Sequence, residues 1–188
     1  MKPHKIVIYI SILLILIVPA AREKATAIAQ SAVIHSGVVN ASTTDDKKEQ
    51  FNYDFAVKDL SGKEVDFKSF RGKVIFLNLW ATWCGPCRSE MPSIQELYNG
   101  INKEKILFVM LSLDEERRLE KVKSYVKAQA FNFPVFVPQG QLTNQLYVDT
   151  IPTTFVIDKD GNIVIKEVGM RNYNTTKFKR YLEDLANK

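Results

Sequence analysis

Cys84 and Cys87 are the residues of this chain best suited to chemistry, and they are its only cysteines. Their spacing has three common explanations: half of a zinc site, a structural disulfide or a redox pair. A structural disulfide stabilises most by closing a long loop, and this loop is very short. A structural zinc ion takes four cysteine or histidine ligands, and the two histidines, His4 and His35, precede the predicted folded region. Apart from a zinc ion shared across a dimer, we therefore expect no metal, and the sequence favours a redox pair.

The elements beside the pair predict how it reacts. Residues 74–80 are nearly continuous in apolar side chains and predict a buried strand. Apolar residues at helical spacing from Met91 to Ile101 then predict a helix after the pair. Cys84 would begin that helix, where free N–H groups and the helix dipole stabilise a thiolate. Pro86 suits an early helical position because its missing N–H would have no partner there. We expect Cys84 to be the attacking thiol and Cys87, one turn later and less exposed, to be the resolving thiol.

Two stretches of the chain resemble the thioredoxin superfamily. Residues 83–87 read Trp-Cys-Gly-Pro-Cys, the active-site signature of that family, and residues 150–158 resemble its proline loop and the following strand. The resemblance implies a cis Ile151–Pro152 bond beside the redox pair, whereas a plain strand-initiating proline would be trans. It also implies a substrate-binding face built from Trp83, Gly85, Pro86, Ile151 and Pro152.

The order of predicted elements matches the α/β thioredoxin fold, a central mixed sheet flanked by helices. Alternation in residues 51–57, a turn and a short second strand predict an N-terminal hairpin. Between Cys87 and Pro152 lie 64 residues, which predicts a central insertion. We expect this region to hold a helix over residues 115–130 and a short helix over residues 141–148 with Leu142, Leu146 and Tyr147 facing inward. The hairpin, insertion and membrane targeting together resemble exported thiol–disulfide oxidoreductases of the TlpA/ResA type, over roughly residues 51–188.

The acidic residues near the pair set this chain apart from cytoplasmic thioredoxins. Those proteins carry a buried aspartate in the strand before the signature, and the matching residue here is Asn78, which cannot act as a base. The TlpA/ResA branch resembles this chain in placing a glutamate three residues after the second cysteine, here Glu90. Three residues are nearly one helical turn, so Glu90 could point back and accept the proton of Cys87. The alternative is a solvated glutamate on the helix surface.

The N-terminal residues predict export. Residues 1–29 hold a short basic region and an apolar run, marginal for a spanning helix and typical of a signal peptide or membrane anchor. Residues 30–50 are polar and predict a flexible linker before a thioredoxin-like domain at residues 51–188. The formal charge of +5 includes four basic residues against one acidic residue in residues 1–29, so it predicts no nucleic-acid binding. We expect a protein that is periplasmic or tethered to the outer face of the cytoplasmic membrane and contacts the membrane through its N-terminal segment alone.

The predicted activity is the reduction of disulfides in partner proteins, without a cofactor. Cys84 attacks the substrate disulfide, and Cys87 resolves the mixed disulfide. The family resemblance implies a membrane dithiol electron donor and substrates that include apocytochromes c, hence a role in cytochrome c maturation.

Three alternatives come from other classes. A disulfide oxidase would run the same pair in reverse, but the Gly-Pro dipeptide and Ile151 resemble reducing thioredoxins. A peroxiredoxin-like peroxidase is suggested by the hairpin, yet Thr82 lies only two residues before Cys84, where such enzymes use a Thr-x-x-Cys spacing. A non-enzymatic module on the same scaffold is disfavoured by the intact pair and proline loop.

Overall fold

The computed structural model describes residues 49–188, together with residues 4, 25–26, 29–30, 32–34, 36 and 39–41. Most of the predicted targeting segment and of the predicted linker lies outside the described residues. Within the described part of the chain, no helix combines the length and apolar character that crossing a membrane requires.

Residues 49–188 form one mixed sheet and three helices. The strands are β1 (Glu49–Gln50), β2 (Ala56–Asp59), β3 (Glu64–Asp66), β4 (Val74–Trp80), β5 (Ile106–Ser112), β6 (Val135–Gln139), β7 (Thr153–Ile157) and β8 (Asn162–Val168). The helices are α1 (Gly85–Asn99), α2 (Leu119–Ala128) and α3 (Thr176–Asn187), and short 3₁₀ helices span Phe67–Phe70, Glu116–Arg118 and Asn144–Leu146.

The sheet has the strand order β1-β8-β7-β4-β5-β6-β2-β3. Strand β4 is parallel to β5 and antiparallel to β7, so the strand that leads to the cysteines lies inside the sheet, between two partners. Its seven residues are all buried, because side chains on both faces are covered. The predicted thioredoxin fold, with its mixed sheet, its hairpin (β2 and β3) and a central insertion around residues 131–148 that holds β6, is confirmed.

The two faces of the sheet are covered differently. The apolar even-numbered residues of β4, which are Val74, Phe76 and Trp80, pack in one hydrophobic cluster with side chains of α1, α2 and α3. Odd-numbered residues of β4 pack in a second cluster with the aromatic residues Phe51, Tyr53, Phe55 and Phe67. This alternation follows from the two-residue period of a strand. The three helices therefore share one face, and α1 lies on it directly after β4.

Two local predictions were wrong. Residues 51–55 are not a strand, although Phe51, Tyr53 and Phe55 are buried as the alternation predicted. Their rings pack on one another and on Phe67, for example Phe55 on Phe67 at 4.3 Å between centroids, so burial comes from ring packing without strand pairing. The predicted helix at residues 141–148 is only the 3₁₀ turn Asn144–Leu146. Because the backbone is extended at Tyr147, this side chain is 60% exposed and does not face inward.

Candidate active site

The cysteine pair lies where β4 passes into α1. Cys84 is the N-cap of α1, and its Sγ accepts a hydrogen bond from the Cys87 N–H at 3.2 Å. Pro86 occupies the first helical turn, as predicted. Cys84 and Cys87 form a disulfide with an S–S distance of 2.09 Å. The N–H group at the start of α1 is therefore aimed at the sulfur that becomes a thiolate on reduction.

The two sulfurs differ in access. Cys84 is 5% exposed, whereas Cys87 has no exposed surface. The neighbouring Trp83 is 58% exposed, and Gly85 and Pro86 are also exposed. A partner protein can therefore reach Cys84 and the residues beside it, but it cannot reach Cys87 without displacing other groups.

The proline loop lies against Cys84. The Ile151–Pro152 bond is cis, as predicted, and the Cys84 Sγ lies 3.6 Å from the Ile151 carbonyl oxygen. Ile151 is partly exposed and Pro152 is buried. The structure thus brings together all five residues of the predicted substrate-binding face around one disulfide.

The turn before Cys84 is held by a carboxylate that sequence reasoning missed. Asp114 follows β5 and is 6% exposed. It accepts hydrogen bonds from the Thr82 N–H and the Thr82 hydroxyl, each at 2.7 Å, and from the Ser112 hydroxyl at 2.9 Å. Because Thr82 lies two residues before Cys84, these bonds fix the backbone that presents Trp83 and the nucleophile.

Glu90 follows Cys87 by three residues on α1 and has no exposed surface. Its Oε1 accepts a hydrogen bond from Asn78 Nδ2 at 2.8 Å, and its Oε2 accepts one from the Arg171 backbone N–H at 3.0 Å. Asn78 also donates to Thr154 Oγ1 at 2.8 Å. The alternative of a solvated surface glutamate is therefore excluded, and Glu90 lies on the buried side of α1, one turn beyond Cys87.

Burial raises the pKa of Glu90 to about 8, because a carboxylate loses its hydration there; the Arg171 N–H, the Asn78 amide and the Arg171 charge oppose this shift. Glu90 is therefore protonated at neutral pH while the cysteines are oxidised. A carboxyl group with this pKa can give up and take back a proton close to physiological pH.

The residues after β8 close the site and were also missed. The Gly169 N–H donates to the Pro152 carbonyl at 2.8 Å, and the Tyr173 N–H donates to Ser93 Oγ at 3.2 Å. Arg171 binds Glu90 through its backbone, which no side-chain motif reveals. A pair of opposite charges four residues apart, Glu167 and Arg171 on either side of Gly169, is the signal that could have drawn attention to this segment.

In the described part of the chain, no group of three histidine, cysteine or acidic side chains is placed to hold a metal ion.

The family model named AhpC/TSA matches residues 49–166, which include β1 to β7, the disulfide and Glu90. The chain belongs to the AhpC/TSA family.

Relatives within this thioredoxin-like group are named as thiol–disulfide oxidoreductases. The chain is 40% identical over 116 residues to a thiol-disulfide oxidoreductase ResA of Bacillus cereus, covering 61% of this chain and 66% of that protein. It is 34% identical over 133 residues to ResA of Geobacillus thermodenitrificans, covering 70% of this chain and 74% of that protein. The chain thus spans just under two thirds of the first relative's length.

A solved structure supports the fold. A thiol:disulfide interchange protein of the thioredoxin family from Chlorobium tepidum TLS superimposes with a TM-score of 0.59 at 31% identity, covering 76% of this chain and 99% of that one. This similarity agrees with the resemblance of residues 83–87 and 150–158 to the thioredoxin superfamily.

Proposed function

We propose that this protein is a thiol–disulfide reductase in which Cys84 is the nucleophile, Cys87 the resolving thiol and Glu90 the group that holds the resolving proton. One observation carries the proposal: the sulfur of Cys84, the less buried of the two cysteines, caps α1, while the fully buried Cys87 lies one turn from the equally buried Glu90. The similarity to proteins named thiol–disulfide oxidoreductases supports the same class of chemistry.

Reduction of a substrate begins at Cys84. Its thiolate attacks one sulfur of the substrate disulfide, and the other substrate sulfur leaves as a thiolate that takes a proton from water. Cys87 then attacks the Cys84 sulfur of the mixed disulfide. As it does so, its thiol proton passes to the Glu90 carboxylate, and the second substrate thiolate leaves. The products are a reduced substrate, the Cys84–Cys87 disulfide and a protonated Glu90.

Recharging reverses these steps with a dithiol donor. A donor thiolate attacks Cys84, Cys87 leaves as a thiolate, and Glu90 returns its proton to that sulfur. The second donor thiol then releases Cys84. A pKa of about 8 suits this exchange, because Glu90 is protonated at neutral pH in the oxidised state that awaits the donor.

The direction of the reaction is tested by the reduction potential of the pair. The Gly85-Pro86 dipeptide favours the reducing end of the family range, about −270 mV, over the strongly oxidising end, about −120 mV. Equilibration with a graded thiol–disulfide buffer, read by thiol alkylation, measures it. A value near the oxidising end would replace the reductase with an oxidase.

Consumption of hydrogen peroxide in the presence of a dithiol, lost in Cys84→Ser, would instead support the peroxidase alternative.

We propose that the reaction takes place outside the cytoplasm, with the electrons supplied by a membrane dithiol protein. The basic and apolar residues of the first 29 positions support export. A membrane-impermeant maleimide applied to intact cells that produce Cys87→Ser, in which Cys84 is a free thiol, tests this location. Labelling of Cys84 before cell lysis is expected, and labelling only after lysis would contradict export.

For the substrate, we propose the Cys-x-x-Cys-His disulfide of an apocytochrome c, which must be reduced before haem attaches. A pair of synthetic disulfide peptides with and without the histidine tests this proposal. Faster reduction of the histidine-bearing peptide is expected, and equal rates would remove apocytochrome c as the preferred substrate.

A further inference from the structure

The loop of residues 169–172, which follows β8, forms hydrogen bonds with the proline loop and with Glu90 of α1. At its start, the Gly169 N–H donates to the carbonyl of Pro152 at 2.8 Å. Two residues later, the Arg171 N–H donates to Oε2 of Glu90 at 3.0 Å. A small movement of this loop would therefore remove a hydrogen bond from the buried carboxyl group.

An ion pair joins this loop to strand β8. Arg171 Nε lies 3.0 Å from Glu167 Oε2, and the two side chains are 29% and 10% exposed. Glu167 belongs to β8, where it is the register partner of Thr154, so the sheet fixes its backbone. Arg171 Nη1 also donates to the Met170 carbonyl at 3.0 Å. The guanidinium group is thus tied to the strand on one side and to the loop on the other.

The burial of this pair distinguishes it from a surface ion pair elsewhere in the domain. Lys123 and Glu120 on α2 lie 2.8 Å apart, but their side chains are 38% and 83% exposed. Exposed pairs of this kind contribute little to stability because water and salt screen them. Breaking a mostly buried pair has a larger effect, since it leaves a charge without its partner in a poorly hydrated place.

We propose that Glu167 and Arg171 form a latch that holds the 169–172 loop in place, so that the Arg171 N–H stays bonded to Glu90 during proton transfer. This inference rests on the proposed function and adds two positioning residues to it. Neither side chain needs to touch the cysteines, because the latch acts through the backbone of Arg171.

The groups around Glu90 make the latch testable by pH. Cys87 precedes Glu90 on α1, and Asn78 and Thr154, from β4 and β7, do not titrate. Glu167 comes from β8, and Arg171 and Tyr173 come from the residues after it. Burial raises the pKa of Tyr173 well above its ordinary value, and the Glu90 charge adds to this, so Tyr173 stays protonated between about pH 5 and about pH 9.

The variant Glu167→Met shows whether Glu167 affects the pKa of Glu90 by holding the loop or only through its negative charge. Methionine cannot pair with Arg171, so the loop is expected to loosen and the Arg171 N–H to leave Glu90. Losing that bond raises the pKa of Glu90. Losing the negative charge of Glu167 alone would instead lower this pKa or leave it unchanged. The two explanations therefore predict opposite directions.

The measurement is the side-chain ¹³C titration of Glu90 in the oxidised protein, assigned with Glu90→Gln. We expect the midpoint in Glu167→Met to rise by about one pH unit. The matched control is Glu120→Met, which breaks the exposed Lys123 pair and should leave the midpoint in place. An unchanged or lowered midpoint in Glu167→Met would overturn the latch.

A second variant keeps the test decisive if Glu167→Met does not fold. Arg171→Met retains the backbone N–H but removes the guanidinium group. We expect hydrogen exchange of the residue 171 amide to become about tenfold faster, with partial recovery in Arg171→Lys. Exchange as slow as in the wild type would overturn the latch. Both readouts use the resting oxidised protein, so they stand apart from the proposed function, which fails separately if the wild type reduces no disulfide through Cys84.

Discussion

Asn78 Nδ2 donates a hydrogen bond to Glu90 Oε1 at 2.8 Å, joining the strand that precedes the cysteines to the helix that carries them. Both side chains are completely buried. The strand position that holds an aspartate in cytoplasmic thioredoxins thus provides a hydrogen-bond donor here, and the acid comes from α1. The two positions meet in space although they lie twelve residues apart in the chain.

Replacing Glu90 with glutamine should slow the reduction of the Cys84–Cys87 disulfide by a dithiol by about 100-fold at neutral pH. The reason is that glutamine cannot protonate the Cys87 thiolate as it leaves. Because the pKa of Glu90 is raised to about 8, the ratio of wild-type to variant rates should fall as the pH rises through about 8. Stopped-flow tryptophan fluorescence measures both rates. A ratio that stays constant with pH would exclude Glu90 as the proton donor.

The protonation of Glu90 should also make the stability of the oxidised protein depend on pH. Its pKa is raised to about 8 in the folded state from an ordinary value of 4.5, so the folded state holds a proton that the unfolded chain releases. The free energy of unfolding should therefore fall as the pH rises between these two values, by on the order of 3–5 kcal/mol. Denaturant titrations at about pH 5, 7 and 9 measure this. Glu90→Gln should remove most of the slope, and an equal slope in both proteins would place its origin elsewhere.

Removing the amide of Asn78 should raise the pKa of Glu90 further. In Asn78→Ala the carboxylate loses a hydrogen-bond donor, and the protein should lose roughly 1–3 kcal/mol of stability because buried polar groups lose their partners. The Glu90 titration and a denaturant curve measure both effects. Thr154→Val is the matched control, since it removes the other acceptor of Asn78 and leaves the bond to Glu90. Equal titration midpoints in the two variants would contradict a direct role of this bond.

The two tryptophans offer a contrast between docking and packing. Trp83 is 58% exposed beside Cys84, whereas Trp80 is completely buried. Trp83→Ala should raise the KM for a protein disulfide about tenfold while changing stability by less than about 0.5 kcal/mol. Trp80→Ala should cost about 3–5 kcal/mol of stability. Insulin reduction and denaturant unfolding distinguish them, and an unchanged KM in Trp83→Ala would remove this residue from the docking face.

The strands and helices around the cysteines were predictable because their apolar patterns are strong. The predicted strand at residues 74–80 matches β4, and the helix after it begins at Gly85, with Cys84 as its N-cap. Prediction failed where packing, not periodicity, decides the backbone. Residues 51–55 alternate like a strand, yet their aromatic rings are buried by packing on Phe67 and their backbone forms no β-strand. Tyr147 follows a turn too short to bury it.

Within the site, residues whose side chains suggest redox or acid–base chemistry were found. Arg171, which acts through its backbone, and Asp114, which acts on a residue distant in the chain, were not. Cys84, Cys87 and Glu90 have side chains whose chemistry is readable in sequence. Arg171 contributes an N–H group that every residue except proline has, so its identity gave no signal. Asp114 lies far along the chain from Thr82, and only the parallel pairing of β4 with β5 brings the two together.

The most direct test of the reductase proposal is to trap its partners. Cys87→Ser leaves Cys84 free but prevents resolution, so partner proteins should accumulate as mixed disulfides that a reducing agent releases. The matched control, Cys84→Ser, retains the buried Cys87 and should capture none of them. Identification of the released proteins by mass spectrometry should show substrates bearing paired cysteines. Capture that is equal in the two variants, or absent from Cys87→Ser, would contradict the assignment of Cys84 as the nucleophile of a thiol–disulfide reductase.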